Sequence, residues 1–264
     1  DRKTPVAVST IKAETIQNEL GSQEFPEILK TTPGVYVTRG GGGFGDAELR
    51  IRGFNSENVA VMINGIPVND MENGRVYWSN WAGLSDVASS MQVQRGLGAA
   101  MIGLPSIGGT VNIVTKSTDI EKGGNVMMAT GNDGYTKYGF KLSTGLLEND
   151  WAATVSLSRT TGEQFVDATT IDAYSYFLNV AKKIRENHEL SFTAFGAPQR
   201  HGQRQNRLLI DDFRRSDRGI RTNTDYGYKN GQLVNIEDNF YHKPQMSLNH
   251  YWTINDISSL TTAV

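Results

Sequence analysis

The pattern of apolar and polar residues changes character near the middle of the chain. The first part mixes short helical and strand patterns, whereas the second consists of segments of roughly ten residues that alternate apolar and polar side chains. In one such segment, Trp151, Val155 and Leu157 share a face, and small residues occupy the other face. A period of two places successive side chains on opposite faces of a strand. The pattern therefore predicts a mixed α/β region, 1–118, and a β region, 119–264.

The first region contains two predicted helices and several short strands. The helical patterns cover 11–20 and 23–30, and Gly21 lies where a C-terminal cap belongs. Strands are predicted at 35–38, 49–52, 59–63 and 110–115. Asn64 and Gly65 separate two apolar segments and predict a β-hairpin, because a type I′ turn requires positive φ at both central residues.

The second region contains seven predicted strands, at 124–131, 135–146, 151–161, 174–185, 189–196, 244–254 and 257–264. Their lengths approach the ~9–11 residues that a tilted transmembrane strand requires. Short polar turns at 148–150, 186–188 and 255–256 alternate with longer segments at 162–173 and 197–243. This alternation is typical of an outer-membrane β-barrel. The alternative is a soluble β-sandwich, which does not require it.

Two further features favour a barrel that is larger than these strands form. Seven strands do not close a bacterial barrel, which has an even strand number, and an open sheet would leave unpaired edges in a membrane. A lumen that holds residues 1–118 must also be wider than that of a barrel of about eight strands. Because the strand pattern continues through 261–264, we expect further strands after Val264. Trp151 and Trp252 fit an aromatic girdle near the short turns.

Composition excludes several classes of function. The chain of 264 residues has 26 Lys and Arg against 28 Asp and Glu, so a nucleic-acid binder that acts through bulk charge is excluded. There is no cysteine, which excludes disulfide scaffolds, thiolate metal sites and cysteine nucleophiles. The four histidines lack H-E-x-x-H spacing, and no G-x-S-x-G or Walker motif occurs. We expect no catalytic residues, no bound metal and no cofactor.

Six ordered segments resemble the plug domain of TonB-dependent outer-membrane receptors. They are TPVAV at 4–8, TPGV at 32–35, IRGF at 51–54, VMINGIP at 61–67, VQRG at 93–96 and GGTVNIVTK at 108–116. The resemblance covers 1–118 and extends over 119–264 as the first barrel strands. The segment NDMENGRVYWSNW, 69–81, is similar to the form found in Bacteroidota receptors.

The resemblance implies a fold, a function and partners. The fold would be a mixed α/β plug domain, 1–118, followed by antiparallel transmembrane strands of a 22-stranded β-barrel, of which 119–264 supply about seven. The protein would lie in the bacterial outer membrane, in contact with its lipid, and import a scarce ligand with energy relayed by TonB. The TonB-binding segment would precede Asp1. The alternative is a plugged barrel that serves as a docking component of a surface complex without import.

The ligand stays open at this point. Siderophore, cobalamin, peptide and glycan importers share the plug motifs, and a glycan importer would usually have an accessory surface lipoprotein. No nucleic acid is expected as a partner. The long segment 197–243 carries seven arginines between 200 and 221 against three aspartates. That excess suits an anionic ligand or lipopolysaccharide phosphates, although the usual explanation of such a run is a solvated loop. The segment is also long enough to form a lid over the plug.

The resemblance also implies candidate site residues. Arg52 and Arg95 would be the plug arginines that pair with barrel glutamates, the alternative being exposed arginines at strand ends. Two apical loops, 39–46 and 69–81, would face the ligand. Their candidate ligand-binding residues are Phe44, Asp46, Arg75, Tyr77, Trp78 and Asn80. Aromatic, amide and guanidinium groups suit stacking and directed hydrogen bonds. The alternatives are a flexible glycine hairpin at 39–46 and a structural role for Trp78 and Trp81.

Overall fold

A computed structural model of the chain describes residues 7–21, 23–39, 47–96 and 106–264. The N-terminal region contains strands β1 (Ala7–Lys12), β2 (Val35–Arg39), β3 (Ala47–Ile51), β4 (Val59–Ile63), β5 (Ile66–Pro67), β6 (Ser90–Arg95) and β7 (Gly109–Val114). Its helices are α1 (Ala13–Leu20) and α2 (Leu84–Val87), with 3₁₀ helices at Phe25–Thr31, Ser56–Asn58, Trp78–Trp81 and Ser117–Asp119. Five strands form one sheet in the order β1-β6-β7-β4-β5, and β2 and β3 form a separate hairpin. In this sheet β4 and β7 run parallel and the other pairs antiparallel.

The helices of this region differ from the sequence prediction in two places. The predicted helix 11–20 begins only at Ala13, because Ile11 and Lys12 continue β1 and pair with β6. The predicted helix 23–30 is a 3₁₀ helix. A helical pattern this short is compatible with the i→i+3 hydrogen bonds of a 3₁₀ helix as well as with the i→i+4 bonds of an α-helix. Ser22 lies outside the described residues. Among the helices that the structure describes, none is long and apolar enough to cross a membrane.

The C-terminal region is a long antiparallel sheet, here called the wall. Its strands are β8 (Gly123–Thr130), β9 (Thr136–Ser143), β10 (Trp151–Gly162), β11 (Ile171–Arg185), β12 (His188–Gly196), β17 (Gln245–Asn255) and β18 (Ser258–Ala263). They pair in the order β18-β17-β12-β11-β10-β9-β8, and the described strands do not close on themselves. Each of the seven predicted segments coincides with one of these strands to within a few residues.

The connection between β12 and β17 is folded, although the sequence pattern indicated a loop. It contains β13 (Gln199–Gly202), α3 (Ile210–Arg215), a 3₁₀ helix (Gly219–Arg221), β14 (Tyr226–Lys229), β15 (Gln232–Asn235) and β16 (Asp238–Tyr241). Strand β13 pairs with β11 and β16, so it prolongs the wall. We call this side of the wall the long-loop end, and the side with the turns at 144–150, 186–187 and 256–257 the short-turn end.

Apart from Phe177 and Phe195, which face inward, the wall presents mainly small and polar side chains to the N-terminal region and apolar ones to the outside. On β10, Ser156 is 6% exposed and faces inward, whereas Leu157 faces outward and is 44% exposed. Trp151 and Arg159 bound the outward apolar stripe of β10. Eight residues at about 3.3 Å each give about 26 Å, which a strand tilt near 40° reduces to about 20 Å. The height is comparable to the ~25 Å apolar band of membrane strands.

Candidate functional site

The N-terminal region and the wall share one hydrophobic core. Trp81 stacks on Phe195 of β12, with ring centroids 5.9 Å apart and an interplanar angle of 19°. Phe195 in turn meets the edge of Phe177 of β11 at 6.5 Å. All three side chains are buried in the same cluster as the core of the N-terminal sheet. The N-terminal region is thereby held against the inner face of the wall near the long-loop end.

Polar contacts hold the two parts together closer to the short-turn end. Asn179 of β11 is fully buried; its Oδ1 accepts the backbone N–H of Ser117 at 3.1 Å. Its Nδ2 donates to the hydroxyls of Ser191 and Thr193 at 2.9 and 2.8 Å, so the wall itself orients the amide. This asparagine therefore connects the wall to the backbone that leaves β7.

A second buried asparagine contacts the predicted Asn64-Gly65 turn. Asn249 Nδ2 of β17 donates to the Asn64 carbonyl at 3.1 Å. Asn64 has a φ of 52°, as the turn prediction required, and its Oδ1 accepts the Thr115 N–H at 2.9 Å. Nearby, Thr118 donates to the Glu189 carboxylate at 3.2 Å, and Lys116 Nζ lies 3.7 Å from it. Sequence reasoning missed these contacts, because an asparagine inside an alternating strand carries no signal of its partner.

A cavity of about 330 Å³ lies between α1, α2 and strands β8–β10. Asp86 of α2 forms an ion pair across it with Lys137 of β9, at 2.8 Å. Beside it, Gly83 has a φ of 79° and no room for a Cβ, which would collide with Ser175 of the wall. The N-terminal region thus touches this part of the wall through an ion pair and a glycine, next to a cavity lined by both polar and apolar side chains.

Loop 69–81 lies at the long-loop end, because β5 returns from the Asn64 turn antiparallel to β4. Asn69 shapes it: its Oδ1 accepts the Val61 N–H at 2.8 Å, and its Nδ2 donates to the carbonyls of Val59 and Gly74. These bonds fix the conformation of the loop.

Two of the predicted loop residues are exposed and two are not. Arg75 and Tyr77 reach solvent; Arg75 Nε donates to Glu57 at 2.7 Å, and the Tyr77 hydroxyl accepts from Asn73 at 2.8 Å. A hydrogen bond from its own backbone and the Arg75 guanidinium hold the Glu57 pKa below its usual value. Trp78 and Asn80 are buried, which corrects their assignment to a ligand-facing surface. The 3₁₀ turn directs Trp78 onto Phe25, at 6.3 Å.

Of the other apical loop, Phe44 and Asp46 lie outside the described residues. Arg39, which precedes them, forms a fork with Glu27, Nε to Oε1 at 2.9 Å and Nη2 to Oε2 at 3.0 Å. The Glu27 side chain is 1% exposed. Burial raises the Glu27 pKa, but hydrogen bonds from Arg39 and Lys30 outweigh it, and the net effect lowers the pKa. This pair joins the 3₁₀ helix at 25–31 to β2.

Arg52 and Arg95 converge beside Gly34. Arg95 Nη1 donates to the Pro33 carbonyl at 2.7 Å, and Nη2 to the Ser9 hydroxyl at 3.1 Å. Arg52 has a φ of 53°, and its side chain also passes Gly34. Among the residues that the structure describes, which omit 1–6, 22, 40–46 and 97–105, neither arginine forms an ion pair. Their pairing with barrel glutamates stays a prediction.

Most arginines of the long connection have local acidic partners. The pairs are Arg200–Asp238, Arg214–Asp211, Arg218–Asp167 and Arg221–Asp133. The basic excess of the sequence is therefore largely neutralised, and two of these pairs, Arg218–Asp167 and Arg221–Asp133, join the connection to a neighbouring loop or turn. In the described part of the chain, no group of three His, Asp or Glu side chains is placed to hold a metal ion.

Comparison with known proteins assigns the class. Residues 1–110 match the family model of the TonB-dependent Receptor Plug Domain. The vitamin B12 transporter BtuB of Vibrio vulnificus is 27% identical over 135 residues, 51% of this chain and 22% of that protein. The ferric enterobactin receptor of Pseudomonas aeruginosa is 32% identical over 138 residues, 48% of this chain and 18% of that one.

The solved structures agree in fold. P. aeruginosa FpvA bound to a heterologous pyoverdine superimposes with a TM-score of 0.72 at 16% identity, over 97% of this chain and 33% of that one. Residues 1–110 thus match a TonB-dependent receptor plug domain, hereafter the plug, and the antiparallel strands that follow match the fold of plugged barrels. It is a protein of the bacterial outer membrane. The matches span about a fifth of the length of these curated relatives.

Proposed function

We propose that the protein is a TonB-dependent receptor that binds a scarce extracellular ligand at the long-loop end and imports it into the periplasm. The observation that carries this proposal is the contact of the plug with the inner face of the wall. The plug is held there by Trp81 near the long-loop end and by hydrogen bonds from Asn179 and Asn249 closer to the short-turn end. In a closed barrel, a plug held in this way would obstruct the lumen, so passage would require its rearrangement. The proposed activity is binding and transport, without covalent chemistry.

The finer features of the resemblance belong to the same proposal. The barrel would have 22 strands, with the plug domain at 1–118, and glutamates on further strands would pair with Arg52 and Arg95. The sequence of loop 69–81 supports a receptor of the Bacteroidota type. TonB would bind a segment N-terminal to the plug. Siderophore, cobalamin, peptide and glycan remain the candidate ligand classes, with an accessory lipoprotein for a glycan.

On the plug, the ligand would contact Arg75 and Tyr77 of loop 69–81, together with Phe44 and Asp46 of loop 39–46. Arg75 and Tyr77 suit this role because they are exposed on a loop whose backbone Asn69 holds in place. A preorganised loop loses little conformational entropy on binding. The assignment of Phe44 and Asp46 to the ligand site follows from the sequence resemblance.

The experiment compares a deletion strain with its parent, using the intact gene for complementation. Growth on limiting iron, cobalamin, peptide or glycan would fall for one nutrient only, and the purified receptor would bind the C-terminal domain of TonB. An Arg75→Ala, Tyr77→Ala variant would insert normally and bind that nutrient more weakly. A receptor that neither binds TonB nor supports uptake of any nutrient would contradict the proposal.

One observation favours the second candidate function, a docking component of a surface complex. Leu209, Ile210 and Ile220 of the long connection are exposed, and exposed apolar residues suit a protein partner. Normal uptake in the deletion strain, together with loss of a surface complex, would favour this candidate over import.

A further inference from the structure

The long-loop end contains a second cavity, of about 280 Å³, on the wall side of the molecule. It lies between the β10–β11 loop, 163–170, and the long connection. The side chains that matter for its chemistry are Glu163, Val166, Asp167, Arg218, Arg221 and Tyr226. None of them belongs to the plug loops, so this cavity is separate from the candidate site on loop 69–81.

The β10–β11 loop is held rigidly by the long connection. The Asp167 N–H donates to the Arg221 carbonyl at 2.9 Å, and Asn223 Nδ2 donates to the Asp167 carbonyl at 2.8 Å. Asn235 Nδ2 donates to the Ala168 carbonyl, also at 2.8 Å. Ala168 has a φ of 60°, a left-handed conformation that a non-glycine residue keeps only when its surroundings impose it. The cavity is therefore preformed.

Its charges are balanced. Arg218 forms a fork with Asp167, Nε to Oδ2 at 2.8 Å and Nη2 to Oδ1 at 2.6 Å. The hydrogen bond from Arg218 holds the Asp167 pKa below its usual value, so the carboxylate is ionised at neutral pH. Arg221 donates to Asp133 at 2.9 Å, and Glu163 adds a further carboxylate to the lining.

Balanced charges select against charged ligands. An anion in this cavity would lie against Asp167 and Glu163, and a cation would lie against the two guanidiniums. A hydroxyl group both donates and accepts hydrogen bonds, so it satisfies a carboxylate and a guanidinium at the same time. Tyr226 and Val166 add aromatic and apolar surface for the carbon skeleton.

We propose that this cavity binds an uncharged, hydroxyl-rich part of the ligand, of the kind that a neutral glycan presents. Its volume lies just below the ~300–1,000 Å³ of a site for a whole small molecule, so it holds one unit of a larger ligand. The inference deepens the proposed function, on which it rests, by naming a ligand class and a subsite on the outer loops.

The test uses the full-length receptor in detergent on an array of neutral and acidic glycans. We expect neutral glycans to be retained, with at least a tenfold loss of affinity in Asp167→Asn, which keeps the shape of the side chain and removes its charge. Because Asp167 also holds its loop, Tyr226→Ala provides a second variant that leaves those bonds intact, with a similar loss expected. The matched control is Asp211→Asn, which breaks an Arg–Asp pair of the same connection outside the cavity.

Retention of acidic glycans in preference to neutral ones, retention of none, or an equal loss in Asp211→Asn would overturn the inference. Its failure is distinguishable from failure of the proposed function. A receptor that binds the TonB C-terminal domain and takes up a nutrient, yet retains no glycan, refutes only the cavity's assignment. A receptor that retains neutral glycans without TonB binding or uptake refutes import and leaves the cavity's assignment standing.

Discussion

In the plug, apolar side chains meet in the centre, whereas in the wall they point away from the plug and toward the outside. Val61 of β4 and Ile113 of β7 are almost fully buried, while Leu157 and Phe192 of the wall are exposed on the outer face. Both regions contain strands in which apolar and polar side chains alternate, so this alternation alone does not show which face is buried in the core. The surroundings decide: the plug buries its apolar face in protein, and the wall presents its own to the outside, where we expect lipid.

The contact between the two regions changes along the wall in a related way. It is aromatic at the long-loop end, at Trp81 and Phe195, and polar toward the short-turn end, at Asn179 and Asn249. The cavity beside Asp86 and the Lys137 ion pair lies between α1 and the first wall strands. A substitution that removes one kind of contact should therefore weaken the attachment of the plug to the wall without changing the stability of the wall.

The largest effect is expected from Trp81→Ala. Loss of a buried tryptophan from a core costs about 3–5 kcal/mol, and here it also removes the stack on Phe195. The plug should detach from the wall and become sensitive to protease, while the wall keeps its far-UV circular dichroism. Tyr77→Ala, on the exposed loop nearby, is the matched control and should leave the plug resistant. Equal protease resistance of both variants would mean that the aromatic stack does not seat the plug.

A smaller effect is expected from reversing the polarity of the outer face. Leu157→Arg places a charge in the apolar band and should cost about 2–4 kcal/mol of unfolding free energy in lipid vesicles. Leu209→Arg, on the exposed long connection outside the band, should change that free energy little. Equal destabilisation by the two substitutions would contradict a lipid-facing surface on β10.

The polar contact is tested by Asn179→Leu. The substitution leaves the Ser117 N–H and the Ser191 and Thr193 hydroxyls without their partner, and each unsatisfied buried group costs about 1–3 kcal/mol. Hydrogen exchange at Ser117 should accelerate more than exchange in β2 and β3. Asn187→Leu, in an exposed turn of the wall, is the control. Unchanged exchange at Ser117 would mean that Asn179 does not hold the plug.

Much of the fold was predictable from the chain because period and turn chemistry are local. The seven wall strands follow from alternation, and the positive φ of Asn64 follows from the Asn64-Gly65 pair. The start of α1 was not predictable, because Ile11 joins β1 only through its long-range partner Met91. The folded long connection was missed for the same reason, because β13 is defined by distant partners: His201 pairs with Ile171 of β11, and Gly202 pairs with Asp238 of β16.

The candidate site was predictable in part. Arg75 and Tyr77 are exposed on loop 69–81 as expected, but Trp78 and Asn80 are buried, because the rotation of a single 3₁₀ turn decides which side chains face inward. The ion pair of Glu27 with Arg39 joins residues 12 positions apart, and the sequence around either residue carries no pattern that predicts it. Such contacts depend on the packing of elements, which a residue pattern does not specify.

That ion pair supports the smallest of the predictions, which concerns pH. Because the folded-state pKa of Glu27 is lowered, its contribution to stability is present above the unfolded pKa, near 4.3, and is lost as the pH falls through the lower folded value. Glu27→Gln should therefore destabilise the plug at pH 7, and the difference from the wild type should shrink below about pH 4. The measurement is the midpoint of plug unfolding against pH. Glu19→Gln, at an exposed position on α1, is the control for the substitution itself. A Glu27 difference that does not depend on pH would mean that the charge of Glu27 does not stabilise the plug.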